Sequence, residues 1–206
     1  MMQTGSEIPQ TALTRIDLLL VASMVENNAR VLDVGCGDGE LLRLLSETRN
    51  VDARGVEISQ QGVNDCVAKG LSVVQGDADV DLADYPDNGF DYVILSQTLQ
   101  AMRHTEEIIM EMLRVGRQGI VSFPNFGYWP QRLQIMRGRM PLSDVLPYLW
   151  YNTPNVHLCT LADFEDFCAS HGVRILERVV MQEQGRPVRF APNLRGSVAV
   201  YRFEKA

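Results

Sequence analysis

The chain has 206 residues, of which 46% are hydrophobic and 22% charged, an ordinary composition for a globular protein that fits one domain spanning residues 1 to 206. Its formal net charge of −7 weighs against a nucleic-acid partner, because such proteins carry a basic footprint. The first ten residues lack a basic stretch, and the apolar run from Leu18 to Val25 is too short to cross a bilayer, so we expect a cytoplasmic protein without a membrane partner.

The N-terminal part of the chain predicts one helix. Residues 1 to 12 are polar and contain Pro9, so we expect them to fray. A helical period begins at Thr14 and ends near Asn27 and Asn28. Its predicted buried side comprises Ile16, Leu19, Leu20 and Met24. We expect this helix to cover the edge of a ligand pocket.

The stretch R-V-L-D-V-G-C-G-D-G-E-L-L, which begins at Arg30, predicts a strand, a turn and a helix in succession. Its first apolar residues, Val31, Leu32 and Val34, suit a strand that is buried on both faces of a parallel sheet. Three alternate glycines then allow a tight turn in which no Cβ blocks a ligand: Gly35, Gly37 and Gly39. From Glu40 the leucines recur at helical spacing, and this order is typical of a nucleotide-binding βαβ unit.

The rest of the chain alternates between strand and helix patterns. Further strands are predicted at residues 51–58, 71–75, 90–96, 119–123, 173–181 and 197–203. Further helices are predicted from Ser59 to Lys69, from Thr105 to Gly116, and from a capping box of Thr160 and Asp163 to Gly172. Irregular segments are predicted at 79–89 and 183–196, as surface connections, and at 124–159, where prolines and glycines break the pattern.

These elements indicate an α/β fold with three parts. Residues 13–123 form a cofactor-binding half, residues 124–159 an insertion that we expect to act as a lid, and residues 160–206 a C-terminal helix and strand pair. The predicted architecture is a Rossmann-like seven-stranded sheet, mostly parallel with an antiparallel last strand, and with helices on both faces.

The charge of the turn decides between ligands. A dinucleotide fingerprint has a third glycine at the sixth position, where this chain has Glu40, and Asp33 and Asp38 add two further carboxylates. A pyrophosphate would therefore meet acids where it needs donors. S-adenosylmethionine carries a sulfonium and an ammonium group, so the acidic turn favours it over a dinucleotide.

Two acids at later strand ends support this choice. Glu57 ends the second strand, where a carboxylate can accept both ribose hydroxyls, and Asp77 follows the third, where it can accept from an adenine amino group. Glycines alone are equally typical of a purely structural turn, and the ordered acids weigh against that alternative. The predicted cofactor-binding residues are Asp33, Gly35, Cys36, Gly37, Asp38, Gly39, Glu57, Ile58, Asp77, Ala78 and Ser96.

Four segments in order resemble the class I S-adenosylmethionine-dependent methyltransferases over residues 13 to 203: V-L-D-V-G-C-G-D-G, Glu57, Gly76-Asp77 and F-D-Y-V-I-L-S. Within that superfamily, G-C-G-D-G-E-L-L, S-Q-T-L-Q and S-F-P-N-F-G-Y-W-P-Q-R are similar to the bacterial methionine biosynthesis protein MetW family. The resemblance implies the class I methyltransferase fold, S-adenosylmethionine as cofactor with S-adenosylhomocysteine as product, and a link to methionine synthesis.

Two functions are consistent with these patterns. The first is methyl transfer to a small molecule, which depends mainly on proximity and orientation and so needs no catalytic triad. Candidates for a general base are His157 and Tyr128, and candidates for acceptor binding are Asn125, Trp129 and Arg132. In the alternative interpretation of this segment, its aromatic residues only anchor it to the core and its arginines face solvent.

The second function belongs to another class. The resemblance implies a cofactor-binding accessory protein that acts on homoserine O-acyltransferase. Aromatic residues beside arginines in residues 124–159 are typical of interface anchors and support this hypothesis. The four cysteines, Cys36, Cys66, Cys159 and Cys168, form no C-x-x-C pair, so no metal site is predicted.

Overall fold

A computed structural model describes residues 12 to 206 of the chain, with side chains from residue 16 onward. The expectation that the N-terminal residues fray therefore concerns residues 1–11, outside the described part, whereas Ala12 already begins the first helix. Among the described residues the strands are β1 (Arg30–Val34), β2 (Asp52–Glu57), β3 (Ser72–Gln75), β4 (Phe90–Ser96), β5 (Gly116–Pro124), β6 (Val173–Met181) and β7 (Val198–Lys205). The helices are α1 (Ala12–Ser23), α2 (Glu40–Arg49), α3 (Gln60–Ala68), α4 (Ala78–Asp81), α5 (Thr105–Val115), α6 (Trp129–Met136), α7 (Leu161–Ser170) and α8 (Pro192–Arg195).

The seven strands form one sheet in the order β3-β2-β1-β4-β5-β7-β6. Strands β1 to β5 pair in parallel, and β7 lies between β5 and β6 and is antiparallel to both. This is the predicted Rossmann-like sheet with an antiparallel last strand. The strand order reverses between β1 and β4, and open α/β sheets bind their ligands at such a reversal, outside the carboxyl ends of the strands.

Side chains alternate across the sheet and bury helices on both faces. Leu32 and Val34 of β1 pack in a cluster with residues of α5 and α7, whereas Val31 packs on the opposite face with residues of α1 and α2. The β1 strand is therefore covered on both sides, as its apolar residues Val31, Leu32 and Val34 predict.

The predicted buried face of α1 was partly wrong. Leu19 is 56% exposed, and the helix ends at Ser23 rather than near Asn27 and Asn28. The buried residues are Asp17, Leu18, Val21, Ala22, Met24 and Val25. A second set of apolar residues also has helical spacing: Leu18, Val21, Ala22 and Val25. This set forms the buried face, and the polar Asp17 beside it made that face look less apolar than it is.

Three connections are more ordered than predicted. The segment after Asp77 begins with α4, because the Asp77 side chain accepts a hydrogen bond from the Asp79 backbone N–H at 3.0 Å and caps the helix. Segments 124–159 and 183–196 contain α6 and α8.

The β5 strand begins at Gly116, three residues earlier than expected, because it follows α5 directly. The capping box of Thr160 and Asp163 is confirmed at the start of α7.

Candidate functional site

The three glycines of the turn after β1 all have a positive φ, of 74°, 56° and 79° for Gly35, Gly37 and Gly39. They differ in what a side chain would meet. A Cβ on Gly35 would lie 2.5 Å from Thr98, and one on Gly39 would lie 2.5 Å from Leu71, so close packing excludes side chains there. A Cβ on Gly37 would meet nothing within 4 Å. Gly37 is therefore the glycine that faces open space.

Two cavities flank this turn and share Gly35. The first, which we call the acidic cavity, has a volume of about 180 Å³ and is lined by Asp17, Leu18, Asp33, Gly35, Cys36, Gly37, Asp38, Glu40, Leu41, Ser96 and Gln97. The second, which we call the adjacent cavity, has a volume of about 270 Å³ and is lined by Gly35, Val56, Glu57, Ile58, Gly76, Asp77, Ala78, Asp79, Thr98, Ala101, Met102 and Arg103. Of the predicted cofactor-binding residues, all but Gly39 line one cavity or the other.

The acidic cavity contains two buried carboxylates. Asp33 is 2% exposed, its Oδ1 atom has no hydrogen-bond partner, and burial together with the charge of Glu57 raises its pKa to about 7. Asp17 is equally buried, and burial raises its pKa to about 6, although hydrogen bonds from Gln97 and the Leu18 N–H oppose the shift. A buried carboxylate without a partner is costly, so the cavity is suited to a ligand that carries a positive charge or donors.

Glu57 lines the adjacent cavity, with 8% of its surface exposed. Its Oε2 accepts from the Gly37 N–H and its Oε1 from the Ser59 N–H, both at 2.8 Å. These bonds fix the carboxylate against the turn. Each oxygen can accept a second bond, so Glu57 retains capacity for ligand hydroxyls.

Asp38 lines the acidic cavity but is paired on the outside. Its Oδ2 accepts from Lys69 Nζ at 2.8 Å and its Oδ1 from the Glu40 N–H at 3.3 Å. Partial burial alone would raise the pKa of Asp38, but the bond and charge of Lys69 outweigh it and lower the pKa. Asp38 thus acts as an ion-pair partner of α3, unlike Asp33.

The carboxyl end of β4 carries a strained backbone. Gln97 is not glycine, yet its φ is 55°, and its N–H donates to the backbone oxygen of Ser122 at 3.0 Å. Ser96 Oγ lies 3.3 Å from Ser122 Oγ. A non-glycine residue keeps such a φ only where the surrounding contacts hold it there, and residues of this kind are common at ligand-binding sites. In this conformation Gln97 Nε2 donates a hydrogen bond to Asp17 Oδ2 at 3.0 Å.

Sequence reasoning missed Asp17 because the residue interrupts an apolar helix face and its partner lies 80 positions away. A polar residue at an inward position of α1 was the available signal. The position of α1 is nevertheless as expected, because Asp17 and Leu18 line the acidic cavity and the helix covers its edge.

The candidate acceptor residues line neither cavity. Asn125 is fully buried, and its Nδ2 donates to the backbone oxygens of Asn193 and Gly196 at 2.9 and 2.8 Å. It therefore ties the end of β5 to α8. Arg132 Nε donates to the Gly127 backbone oxygen, and Trp129 is 51% exposed.

The two candidate bases have different surroundings. Tyr128 is buried, and burial raises its pKa, so its phenol resists ionisation. His157 is exposed, and its Nε2 lies 3.2 Å from the Arg103 backbone oxygen. It also lines a third cavity, of about 140 Å³, whose walls include Phe123, Phe164 and Phe167.

Cys36 and Cys66 are not activated thiols, and the described residues contain no metal-binding cluster. Cys36 and Cys66 are buried with their sulfurs 3.9 Å apart, and burial raises the pKa of both thiols, so they are poor nucleophiles. Among residues 12–206, no three His, Cys, Asp or Glu side chains are placed to hold a metal ion. Within the same range, no helix is long and apolar enough to span a membrane.

Sequence comparison identifies relatives over nearly the whole chain. Residues 15–203 match the model of the family described as methionine biosynthesis protein MetW. The bifunctional methionine biosynthesis protein MetXA/MetW of Rhodopirellula baltica is 33% identical over 216 residues, which cover 98% of this chain and 35% of that protein. Ajmaline N-methyltransferase of Rauvolfia serpentina is 32% identical over 97 residues, 43% of this chain and 33% of that enzyme. The chain thus spans about a third of the length of these curated relatives.

Solved structures share the fold. An S-adenosylmethionine-dependent methyltransferase of Mesorhizobium loti has a TM-score of 0.67 at 15% identity, covering 92% of this chain and 98% of that one. The [4+2]-cyclase SpnF has a TM-score of 0.66 at 18% identity, covering 97% and 85%. These similarities confirm the predicted class I methyltransferase fold. They do not fix the reaction, because one fold hosts several chemistries.

Proposed function

The chain belongs to the methionine biosynthesis protein MetW family, and from that premise we propose that it binds S-adenosylmethionine and transfers the methyl group to a small-molecule acceptor of methionine biosynthesis. One observation carries the cofactor assignment. The buried Asp33 carboxylate leaves Oδ1 without a partner beside a cavity whose charged lining residues, among those that the structure describes, are all acids. A cationic ligand satisfies that carboxylate, whereas a pyrophosphate is repelled by it.

The two cavities divide the cofactor between them. We assign the adenosine part to the adjacent cavity, where Glu57 accepts from the ribose hydroxyls and Asp77 from the adenine amino group. We assign the amino-acid part to the acidic cavity with Asp33. The turn between them has no Cβ at Gly37, so the ligand can lie against bare backbone there. The bound cofactor supplies an electrophilic methyl group on a sulfonium.

The chain's contribution to transfer is then mainly positioning. Attack on the sulfonium methyl needs an aligned acceptor, and a base is required only when the acceptor must lose a proton. Of the two candidates, we favour His157. Its Nε2 faces a carbonyl oxygen, which can only accept, so Nε2 carries the hydrogen and Nδ1 is free to take a proton. The raised pKa of Tyr128 reflects its burial and disfavours the phenolate.

Calorimetric titration tests the cofactor assignment first. We expect S-adenosylmethionine and S-adenosylhomocysteine to bind and NAD to fail to compete. Incubation of the protein and labelled S-adenosylmethionine with fractionated small metabolites should then yield a labelled product together with S-adenosylhomocysteine. Comparable binding of NAD overturns the cofactor assignment, and binding without transfer to any fraction overturns the methyltransferase assignment.

A second candidate function has its own support. In the Rhodopirellula baltica relative, one chain carries both a MetXA and a MetW part, and this chain corresponds to 35% of it. Parts that are fused in one organism often contact each other as separate chains elsewhere. We infer that this protein alternatively serves as a cofactor-binding regulatory partner of homoserine O-acyltransferase.

The insertion segment (residues 124–159) supports a protein partner. It exposes large apolar side chains, which are the usual anchors of interfaces: Trp129, Ile135, Met136, Met140, Leu142, Tyr148, Leu149, Trp150, Tyr151, Val156 and Leu158. Co-purification with homoserine O-acyltransferase, and a change in acylation rate that depends on S-adenosylmethionine, are expected under this function. Two proteins that elute separately and leave each other's rates unchanged would exclude it.

A further inference from the structure

We propose that Asp17, on α1, binds the ammonium group of the cofactor's amino-acid part. Before the ligand binds, the Gln97 amide holds the hydrogen-bonding position at Asp17 Oδ2. The inference deepens the proposed cofactor site and rests on it. It adds a residue outside the glycine turn and gives α1 a direct role in ligand recognition.

The geometry places Asp17 and Asp33 on the same cavity. Both are 2% exposed, and they approach from different elements, α1 and β1. Asp17 Oδ1 accepts from the Leu18 N–H at 2.9 Å, and Oδ2 accepts from Gln97 Nε2 at 3.0 Å. Asp33 Oδ1 has no partner. Of the two carboxylates that line the cavity, one therefore has a buried oxygen without a bond, and the other has an oxygen that is held by a neutral amide.

The charged side chains that line the cavity beside Asp17, within the described part of the chain, are all acidic. The other charged side chains that line the cavity are Asp33 from β1, Asp38 from the turn and Glu40 from α2. Lys69 pairs with Asp38. Among the lining residues that the structure describes there is no cation, so a positive group from a ligand is the complement that the site requires.

An ammonium group is a better partner for Asp17 than the Gln97 amide. Hydrogen bonds between an ammonium and a carboxylate are charge-assisted and stronger than those from a neutral amide. The positive φ of Gln97 need not change when its side chain is released, so the exchange is decided by the hydrogen bonds to Asp17. Gln97 is thus a place-holder that keeps Asp17 satisfied in the empty cavity.

Proton release follows from the same exchange. The pKa of Asp17 is raised to about 6 and that of Asp33 to about 7, chiefly by burial. A bound cation lowers both, so binding expels protons near pH 6 and affinity rises between pH 5 and 8. At pH 6 about half a proton should come from Asp17.

The test compares S-adenosylhomocysteine, which has the ammonium group, with 5′-methylthioadenosine, which lacks the amino-acid part. Titrations are run calorimetrically at pH 6 and 8, in buffers of different ionisation enthalpy. We expect Asp17→Asn to weaken the affinity for S-adenosylhomocysteine by about tenfold at pH 8 and to reduce proton release at pH 6. The affinity for 5′-methylthioadenosine should stay within about twofold of the wild-type value. Glu47→Gln, which removes an exposed charge from α2, is the matched control and should change neither ligand.

Gln97→Asn distinguishes ligand binding from a structural role of Asp17. Asparagine tolerates positive φ but is one methylene too short to keep the bond to Asp17. If Asp17 binds the ligand, this variant should bind S-adenosylhomocysteine as tightly as wild type or more tightly. If Asp17 only anchors Gln97, both variants should weaken binding alike, which overturns the inference. Wild-type protein that binds neither ligand overturns the proposed cofactor instead.

Discussion

The acidic cavity and the insertion segment differ in which side chains they bury and which they expose. In the cavity, two carboxylates are buried and Asp33 Oδ1 lacks a partner, whereas in the insertion segment Arg132 donates to nearby backbone and several large side chains, among them Trp129 and Trp150, are exposed. Asp33 is 2% exposed and Trp150 is 73% exposed. Each arrangement is unfavourable for an isolated protein.

The difference indicates what each region contacts. A buried carboxylate without a partner is stabilised by a small cation that fits its cavity. A wide exposed apolar surface is too large for such a ligand and is typical of surfaces that contact another macromolecule. We therefore expect substitutions in the first region to change cofactor binding and those in the second to leave it unchanged.

The largest expected effect comes from a pair of glycines, one in each region. Gly37 and Gly138 have positive φ values of 56° and 73°, and a Cβ on either meets nothing within 4 Å. Valine at either position should cost a similar backbone strain, about 1–2 kcal/mol, seen as equal losses of thermal stability. Only Gly37→Val should abolish cofactor binding, with an expected loss above about a hundredfold, because its side chain enters the space assigned to the ligand.

Calorimetry with S-adenosylhomocysteine and thermal unfolding of both variants provide the measurement. Gly138→Val is the matched control for strain alone. Equal retention of binding by the two variants would contradict the assignment of the open space at Gly37 to the cofactor.

Glu57 should give the next largest effect. Each charge-assisted hydrogen bond to a ribose hydroxyl contributes roughly 1.5–3 kcal/mol, so Glu57→Ala should weaken the binding of S-adenosylmethionine by about tenfold or more. The variant should also unfold more easily, since the N–H groups of Gly37 and Ser59 lose their acceptors. Glu57→Gln keeps one acceptor oxygen and should lie between wild type and Glu57→Ala in both titration and thermal unfolding.

Asp33→Asn should separate stability from binding. The raised pKa of Asp33 means that its ionised form disfavours folding; the penalty is absent below about pH 4, grows between pH 4 and 7, and is complete above pH 7. The variant should therefore gain stability over wild type as pH rises through this window, while binding S-adenosylhomocysteine more weakly. Denaturant unfolding at pH 4, 6 and 8 measures the difference.

Asp38→Asn is the control of opposite sign. The pKa of Asp38 is lowered by Lys69, so its contribution is present at neutral pH and is lost as pH falls below 4. The ion pair is on the surface, and removing it should cost less than about 1 kcal/mol at pH 7. Parallel pH profiles for the two variants would contradict the distinction drawn between these carboxylates.

The two regions also differ in what their sequences predicted. The turn from Gly35 to Gly39 follows a buried strand and precedes a leucine-rich helix, so a local pattern was enough to place it. Asp17 and Gln97 meet across 80 positions, and Asn125 reaches Asn193 across 68. Such pairings depend on the assembled sheet, and neither residue of a pair indicates its partner. In the insertion segment, prolines and scattered aromatics hide the period of α6, so its helix was not predicted.

The smallest effect on the isolated protein is expected at Trp150. Its ring contacts Tyr151 edge-on, with centroids 5.7 Å apart, and is otherwise largely exposed. Trp150→Ala should change the free energy of unfolding by no more than about 0.5 kcal/mol and leave S-adenosylhomocysteine binding unchanged. Under the regulatory function it should nevertheless weaken association with homoserine O-acyltransferase, because exposed tryptophans are frequent interface anchors.

Phe190→Ala provides the comparison for that prediction. Phe190 is 77% exposed and lies outside the insertion segment, so its removal deletes a similar apolar surface elsewhere. Surface plasmon resonance with immobilised acyltransferase should register a weaker complex for Trp150→Ala than for Phe190→Ala. Equal affinities for both variants and wild type would remove the insertion segment from the interface. An unstable Trp150→Ala protein would show instead that the ring stabilises the fold.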